Sequence, residues 1–161
     1  MPGDPRDTTA SLHDKGGAPG EGKGKTPIRR WVSSFDGRIK ISGTLAHNFE
    51  NSCRKCDGIF GHAVSARLGA LGRWNALQNI VATEVSEITV QRGDVLDFVV
   101  TSGKGAGNNE FGWAIVIERL DATNERWDSV KDFRAPYEKP LTVWERYAQV
   151  LLMAAEFMTV E

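Results

Sequence analysis

The sequence predicts a mainly β fold, an antiparallel β-sandwich of the jelly-roll type that carries one α-helix at its C-terminus. A series of short segments between Ile28 and Ile117 alternates apolar and polar residues, which is the periodicity of half-buried strands. Gly and Asp turn signals separate these segments, with no helical period between them. Only the last part of the chain, residues 141–160, places apolar residues at helical spacing.

The first 26 residues differ in composition from the rest of the chain. They are rich in Gly, Pro, Asp and Lys and contain a single large aliphatic residue, Leu12. Such a segment buries too little apolar surface to offset the entropy lost when it becomes ordered. We therefore expect a flexible linker at 1–26, a β-sandwich domain at 27–136 and a C-terminal helix at 137–161.

Turns and alternation place the strands. The dipeptide Asp36-Gly37 is a turn signal between the first two runs, after which Ile39, Ile41 and Leu45 keep a period of two. The later runs are "GIFGHAVSARLG", "NIVATEVSEITV", "VLDFVVTS" and "FGWAIVIERL". The glycine-rich segment "GKGAGNNE", residues 103–110, is predicted to be a loop between the last two of these strands.

The C-terminal segment "PLTVWERYAQVLLMAAEFMTVE" has the signature of a helix. Pro140 precedes it, and Thr142 with Glu145 forms a capping-box pattern. Its second half is apolar on almost every side, which is typical of a helix that is buried on more than one face. We expect it to dock on the sandwich and also on a missing domain or a second subunit, so an oligomer through this helix is one option.

Charge and hydropathy argue against two classes of partner. The chain has 161 residues with 20 Lys and Arg against 21 Asp and Glu, a net charge of −1. A near-neutral chain has no overall field to attract a phosphate backbone, so no nucleic-acid partner is expected. No apolar run approaches the roughly 18–20 residues that span a bilayer, so no membrane insertion is expected. The first residues also lack the apolar core of a secretory signal, unless Met1 lies inside a longer protein.

The only two cysteines, Cys53 and Cys56, have C-x-x-C spacing. Covalent haem attachment requires a histidine directly after the second cysteine, and Asp57 stands there, so no haem is expected. A zinc site would need two further ligands, for which His47 and His62 are the nearest candidates. A disulfide, two free thiols or a redox pair are the alternatives, although a redox pair usually begins a helix.

No cofactor is assigned on sequence grounds. A calcium loop would show the pattern D-x-D-x-D-G, which is missing, although a structural calcium remains open for a sandwich of this type. The sequence also lacks G-x-S-x-G, H-E-x-x-H and a phosphate-binding loop, and it nominates no catalytic residue.

Five tryptophans provide the candidates for a carbohydrate-binding site. Trp113 alternates in register with Phe111 and Ile115 and is expected in the core, as are Trp31 and Trp144. The other two lie in predicted loops, where exposed rings would stack on pyranose faces while polar neighbours bind hydroxyls. The candidate ligand-binding residues are therefore Trp74, Trp127, Asn108, Asn109 and Glu110.

The order of several segments resembles a known family. "RRWVSSFDGRIKISGTLAH", "DGIFGHAVSARLGALGRW", "VQRGDVLDFVV", "FGWAIVI", "WDSVKDF" and "PLTVWERYAQVLLMAAEFMTV" are similar to the C-terminal region of planctomycete cytochrome-c-domain proteins. These multidomain proteins carry a cytochrome-c-like module, which this chain lacks. The resemblance implies a β-sandwich insert with a closing helix. Ala155, where relatives usually have Asn, and the cysteine pair depart from the family pattern.

The resemblance also implies a functional context. The parent proteins look exported, to the periplasm or cell surface, and are associated with polysaccharide breakdown. We therefore expect a non-catalytic accessory module of a larger protein, with carbohydrate binding as one option and a glycan or neighbouring domains as partners. The alternatives are a structural or protein-interaction insert without a ligand, and a glycoside-active enzyme module.

Overall fold

The computed structural model describes residues 11–12, 15–20, 26–47, 58–103, 109–123 and 125–133. Every regular element within these residues is a strand, so the prediction of a mainly β fold is confirmed. The strands are β1 (Ser11–Leu12), β2 (Gly16–Ala18), β3 (Ile28–Val32), β4 (Gly37–His47), β5 (Ile59–Ser65), β6 (Gly69–Ala76), β7 (Ile80–Val90), β8 (Val95–Ser102), β9 (Phe111–Arg119) and β10 (Arg126–Asp128).

The strands form two antiparallel sheets. Sheet A has the order β1-β2-β9-β4-β7, and β10 pairs with the end of β9 that β2 leaves unpaired. Sheet B has the order β3-β8-β5-β6. The chain passes between the sheets repeatedly, since β3, β5, β6 and β8 belong to sheet B while β4, β7 and β9 belong to sheet A. Only β5 and β6 are consecutive hairpin partners within sheet B.

The two sheets pack face to face in a sandwich-like arrangement around one core. Alternate residues of β8 and β9 point inward, as their period of two predicts. Trp113 of sheet A is only 2% exposed, and its ring meets Phe98 of sheet B edge to face at 5.7 Å. The expected core positions of Trp31 and Trp113 are therefore confirmed. Other fully buried side chains from both sheets are Ile39, Leu45, Ile59, Leu96, Val100, Ile115 and Ile117.

Two short strands lie inside the segment that composition indicated as a flexible linker. Gly16 and Gly17 of β2 pair with Gly112 and Phe111 of β9, and this extends sheet A. A Cβ atom at Gly16 would overlap the carbonyl oxygen of Phe111. Glycine therefore permits a backbone approach that any other residue would prevent, and the same glycines made the segment look unstructured in sequence.

Several predicted features lie outside the described residues. They are the C-terminal helix at 137–161, Trp144, the cysteine pair Cys53 and Cys56, Asp57 and Asn108. Within the described part of the chain, no helix has the length and apolar character needed to cross a membrane.

The two members of the Gly16–Gly112 pair should respond differently to a methyl group. Gly16→Ala places a Cβ on the Phe111 carbonyl, whereas a Cβ at Gly112 finds its nearest neighbour, the Lys15 oxygen, at 3.6 Å. We expect Gly16→Ala to lower the free energy of unfolding by about 1–3 kcal/mol and Gly112→Ala to leave it nearly unchanged. Urea denaturation measures both, and equal midpoints for the two variants would contradict the close approach.

Candidate functional site on the outer face of sheet B

Strand β5 is central in sheet B and turns an aromatic and a polar side chain outward. A Cβ at Gly61 would lie 2.9 Å from Leu45 and 3.0 Å from Trp113, so this side of β5 faces sheet A. Phe60 and His62, its neighbours in the chain, therefore point to the outer face. Both are partly exposed.

Cross-strand pairing surrounds these two residues with polar groups. Phe60 lies opposite Asn75 of β6 and Thr101 of β8, and His62 lies opposite Arg73 of β6. Opposite side chains in such pairs have Cβ atoms about 4.5–5.5 Å apart. We call Phe60, His62, Arg73, Asn75 and Thr101 together the β5 face.

Arg73 and Phe60 form a cation–π contact on the β5 face. The guanidinium carbon of Arg73 lies 4.7 Å from the centre of the Phe60 ring, which is within the range of a favourable interaction. Arg73 is exposed and makes no ion pair with any described residue. The face therefore presents a planar cation backed by an aromatic ring.

His62 supplies a neutral hydrogen-bonding group beside that cation. Burial, and secondarily the positive charge of Arg73, lower the pKa of His62. At neutral pH the imidazole therefore both donates and accepts hydrogen bonds, and one ring nitrogen, Nε2, lies 3.4 Å from Thr101 Oγ1. Asn75 donates from Nδ2 to the Ile59 carbonyl at 3.2 Å, which fixes the orientation of its amide.

The remaining charges on the outer face of sheet B neutralise each other. Arg30 donates to both carboxylate oxygens of Asp97, at 2.7 and 2.8 Å. The hydrogen bond from Arg30 to Asp97 raises the pKa of the guanidinium. Because this bidentate pair satisfies both partners, Arg73 carries the uncompensated charge among the described outward residues of sheet B.

The structure places Trp74, one of the predicted ligand-binding residues, against the core. Trp74 is half-buried on the inward side of β6, and its ring meets Trp113 edge to face at 6.0 Å. The ring also occupies the space beside Gly72, where a Cβ would overlap it. Trp74 thus covers the open edge of the sandwich next to Trp113.

Trp127, the second predicted aromatic, belongs to another cluster. It stacks on Phe35 at 5.3 Å and meets Trp31 edge to face at 5.5 Å. On β9, the partner of Trp127 is Ile117, four residues beyond the Trp113 that Trp74 contacts. At about 3.3 Å per residue, the two tryptophans contact positions about 13 Å apart along β9.

The polar members of the predicted set lie at the beginning of β9. Asn109 is buried and Glu110 is exposed, just before Phe111, while Asn108 lies outside the described residues. The described residues therefore do not bring Trp74 and Trp127 into one site. A ligand-binding role for each of these residues stays a prediction.

The two histidines considered as zinc ligands face different directions. His47 points into the interior, where it is 1% exposed and accepts a hydrogen bond at Nδ1 from the Gln78 amide, at 3.0 Å. His62 points outward from sheet B, so the structure does not bring the two imidazoles together. Among the described residues, no cluster of three or more His, Cys, Asp or Glu is arranged to hold a metal ion.

Comparison with known proteins gives no functional assignment, so any assignment rests on the geometry of the site. Searches against protein-family models, curated proteins and solved structures gave no match. The resemblance to planctomycete cytochrome-c-domain proteins therefore stays a prediction.

Most of the β5 face was not predicted from the sequence. Of its residues only His62 was a candidate, as a metal ligand, and Phe60, Arg73, Asn75 and Thr101 were not. A signal was present in "GIFGHAVS", where the small residues Gly61 and Ala63 alternate with larger ones. When one side of a central strand is restricted to small residues, the larger side chains between them must face the other way.

Removal of Trp127 should destabilise the fold irrespective of any ligand. Because the ring is half-buried between Phe35 and Trp31, we expect Trp127→Ala to lower the free energy of unfolding by about 2–4 kcal/mol. Trp127→Phe keeps an aromatic ring and should lower the free energy of unfolding by less than Trp127→Ala. Urea denaturation of the three proteins tests this, and wild-type stability in Trp127→Ala would refute a packing role.

The pKa of His62 should respond to Arg73. We expect NMR titration to give a pKa below the ordinary value of about 6.5, and Arg73→Gln to raise it, because a nearby positive charge is removed. Arg126→Gln, on β10 of sheet A, serves as the control. Because the unfolded chain takes up this proton more readily, the contribution of His62 to stability falls as pH decreases below about 6.5. A wild-type pKa at or above 6.5 would contradict the described environment.

Proposed function

We propose that this chain is a non-catalytic accessory module of a larger exported protein and that it binds a glycan through the β5 face. The observation that carries the proposal is the arrangement of Phe60, Arg73 and His62 on one outward surface. Stacked planar groups suit the apolar face of a pyranose, and side-chain donors and acceptors beside them suit its hydroxyls.

The strand order supports a jelly-roll module. With β2 to β9 counted as eight strands, one sheet has the order β2-β9-β4-β7 and the other β3-β8-β5-β6. This interleaving of first with last and second with penultimate strands is that of two Greek keys rolled into a double sheet, an architecture found in lectins among others. The fold by itself assigns no function, so the surface chemistry carries the argument.

The β5 face is also suited to binding because it is held rigidly. Its residues stand on three paired strands rather than on loops. The bond from Asn75 to the Ile59 carbonyl and the contact between His62 and Thr101 hold side chains of the face in place before any ligand arrives. Preorganisation of this kind lowers the entropy lost on binding.

The resemblance to the planctomycete proteins is consistent with this role. In that context the chain would be a β-sandwich insert of a protein associated with polysaccharides. The predicted helix at 137–161 would then dock on the sandwich and on a neighbouring domain or a second subunit.

One observation favours a second candidate, a structural or protein-interaction insert without a ligand. Trp74 and Trp127 pack against core aromatics, so they serve stability whether or not a glycan binds. The two candidates differ in what they require of Phe60. A structural insert does not require this ring, whereas a glycan-binding face does.

Affinity electrophoresis in gels that contain neutral or acidic polysaccharides distinguishes these candidates. We expect wild type to be retarded by at least one polymer and Phe60→Ala to lose about fivefold or more in affinity, the equivalent of about 1 kcal/mol of stacking. Ile80→Ala, which removes an exposed apolar side chain from sheet A, should migrate like wild type.

Two outcomes would count against the proposed site or function. If no polymer retards the wild-type protein, glycan binding fails for the panel. If folded Trp74→Ala or Trp127→Ala loses binding while Phe60→Ala retains it, the ligand binds at those tryptophans and not at the β5 face. Circular dichroism of each variant verifies that it is folded.

A further inference from the structure

We infer, on the basis of the proposed function, that the β5 face selects acidic glycans, and that Arg73 receives the negatively charged group. The ligand class is a pyranose chain that carries carboxylates or sulfates. The inference depends on the charge of Arg73, on the geometry of its guanidinium and on the neutral groups around it.

Arg73 differs from three cations on the outer faces of the two sheets that are paired with carboxylates. Arg30 is paired with Asp97 on sheet B, and on sheet A Lys40 is paired with Glu118 at 2.7 Å. Arg38 is likewise paired with Glu87. Arg73 has no carboxylate partner among the described residues, and Asp97, the acidic group on the same face, is held through both its oxygens by Arg30.

The contact with Phe60 leaves the strongest binding mode of the Arg73 guanidinium unused. Its hydrogen-bond donors lie in the guanidinium plane, and no carboxylate among the described residues pairs with them. Those in-plane donors match the two oxygens of a carboxylate or sulfate in a bidentate fork. Backing by Phe60 restricts the movement of the Arg73 side chain and so lowers the entropy cost of forming the fork.

The neighbours of Arg73 favour a sugar that carries the anion over a polyphosphate. His62, whose pKa is lowered, stays neutral at pH 7 and bonds hydroxyl groups, as does Thr101. Val99, opposite His62, adds an apolar surface beside them. Arg73 is the one cation of the β5 face, so this face neutralises one anionic group and does not follow a phosphate backbone.

Matched polymers test the inference through affinity electrophoresis. Polygalacturonate and its fully methyl-esterified form share a backbone and differ in the charge of their carboxylates. Dextran sulfate and dextran likewise share a backbone and differ in their sulfate groups. For wild type we expect at least one acidic polymer to bind about tenfold more tightly than its neutral counterpart, the effect of one charge-assisted contact. The two pairs together show whether a carboxylate or a sulfate is preferred.

Variants assign the effect to Arg73. Arg73→Gln should lower the affinity for the preferred acidic polymer about tenfold. Arg73→Lys keeps the charge but loses the bidentate fork, so its affinity should lie between those of Arg73→Gln and wild type. Arg126→Gln removes an exposed cation of sheet A and should bind within about twofold of wild type, since it lies outside the β5 face.

The possible failures are distinguishable. Equal binding of acidic and neutral polymers, with loss of both in Phe60→Ala, overturns the acidic preference and leaves the proposed function standing. Equal losses in Arg73→Gln and Arg126→Gln show an effect of net charge alone, which also overturns the inference. Failure of wild type to bind any polymer overturns both the inference and the proposed function.

Discussion

Trp113 extends from sheet A into sheet B, and its contacts determine how the two sheets are positioned. Its ring meets Phe98 and Trp74 of sheet B, and its Nε1 donates to Thr83 Oγ1 at 3.1 Å. Its carbonyl accepts a hydrogen bond from buried Arg29 of sheet B at 2.8 Å. One residue thus joins the sheets through dispersion, aromatic contacts and a charge-assisted hydrogen bond, and it satisfies its own buried indole donor.

This packing constrains the opposite side of sheet B. A Cβ at position 61 would lie 2.9 Å from Leu45 Cδ2 and 3.0 Å from the Trp113 ring, so any residue larger than glycine requires these side chains to shift. After Ile59, which is fully buried, the next inward residues of β5 are only Gly61 and Ala63, and the large side chains between them, Phe60 and His62, belong to the outer face. The candidate binding face is therefore a geometric consequence of how the core is filled. A substitution at Gly61 would disturb both at once.

The same packing explains which parts of the fold could be predicted from the sequence. Alternation in β4, β8 and β9 was sufficient to predict strands and to place Trp113 inside, because the inward face of each is mainly apolar. Alternation did not place Trp74 and Trp127, because their surroundings depend on partners distant in sequence. It also did not predict β2, because the glycines of β2 resemble those of a linker. The pairing of Arg73 with His62 depends on the register of β5 and β6, and a one-residue shift would change every partner.

The ion pairs compensate several of the charges on the outer faces of the two sheets. An exposed pair such as Arg38–Glu87 contributes little to stability, and its main effect is to keep charges compensated where strands lie side by side. Stability alone gives no reason for a lone arginine on β6, because an aliphatic side chain would cover the Phe60 ring about as well as a cation–π contact worth about 0.5–1 kcal/mol. A charge without a carboxylate partner among the described residues is available to a ligand. The surroundings of Arg73, an aromatic ring and neutral hydrogen-bonding groups, suit the ligand that we propose, which combines apolar faces, hydroxyls and a negative group.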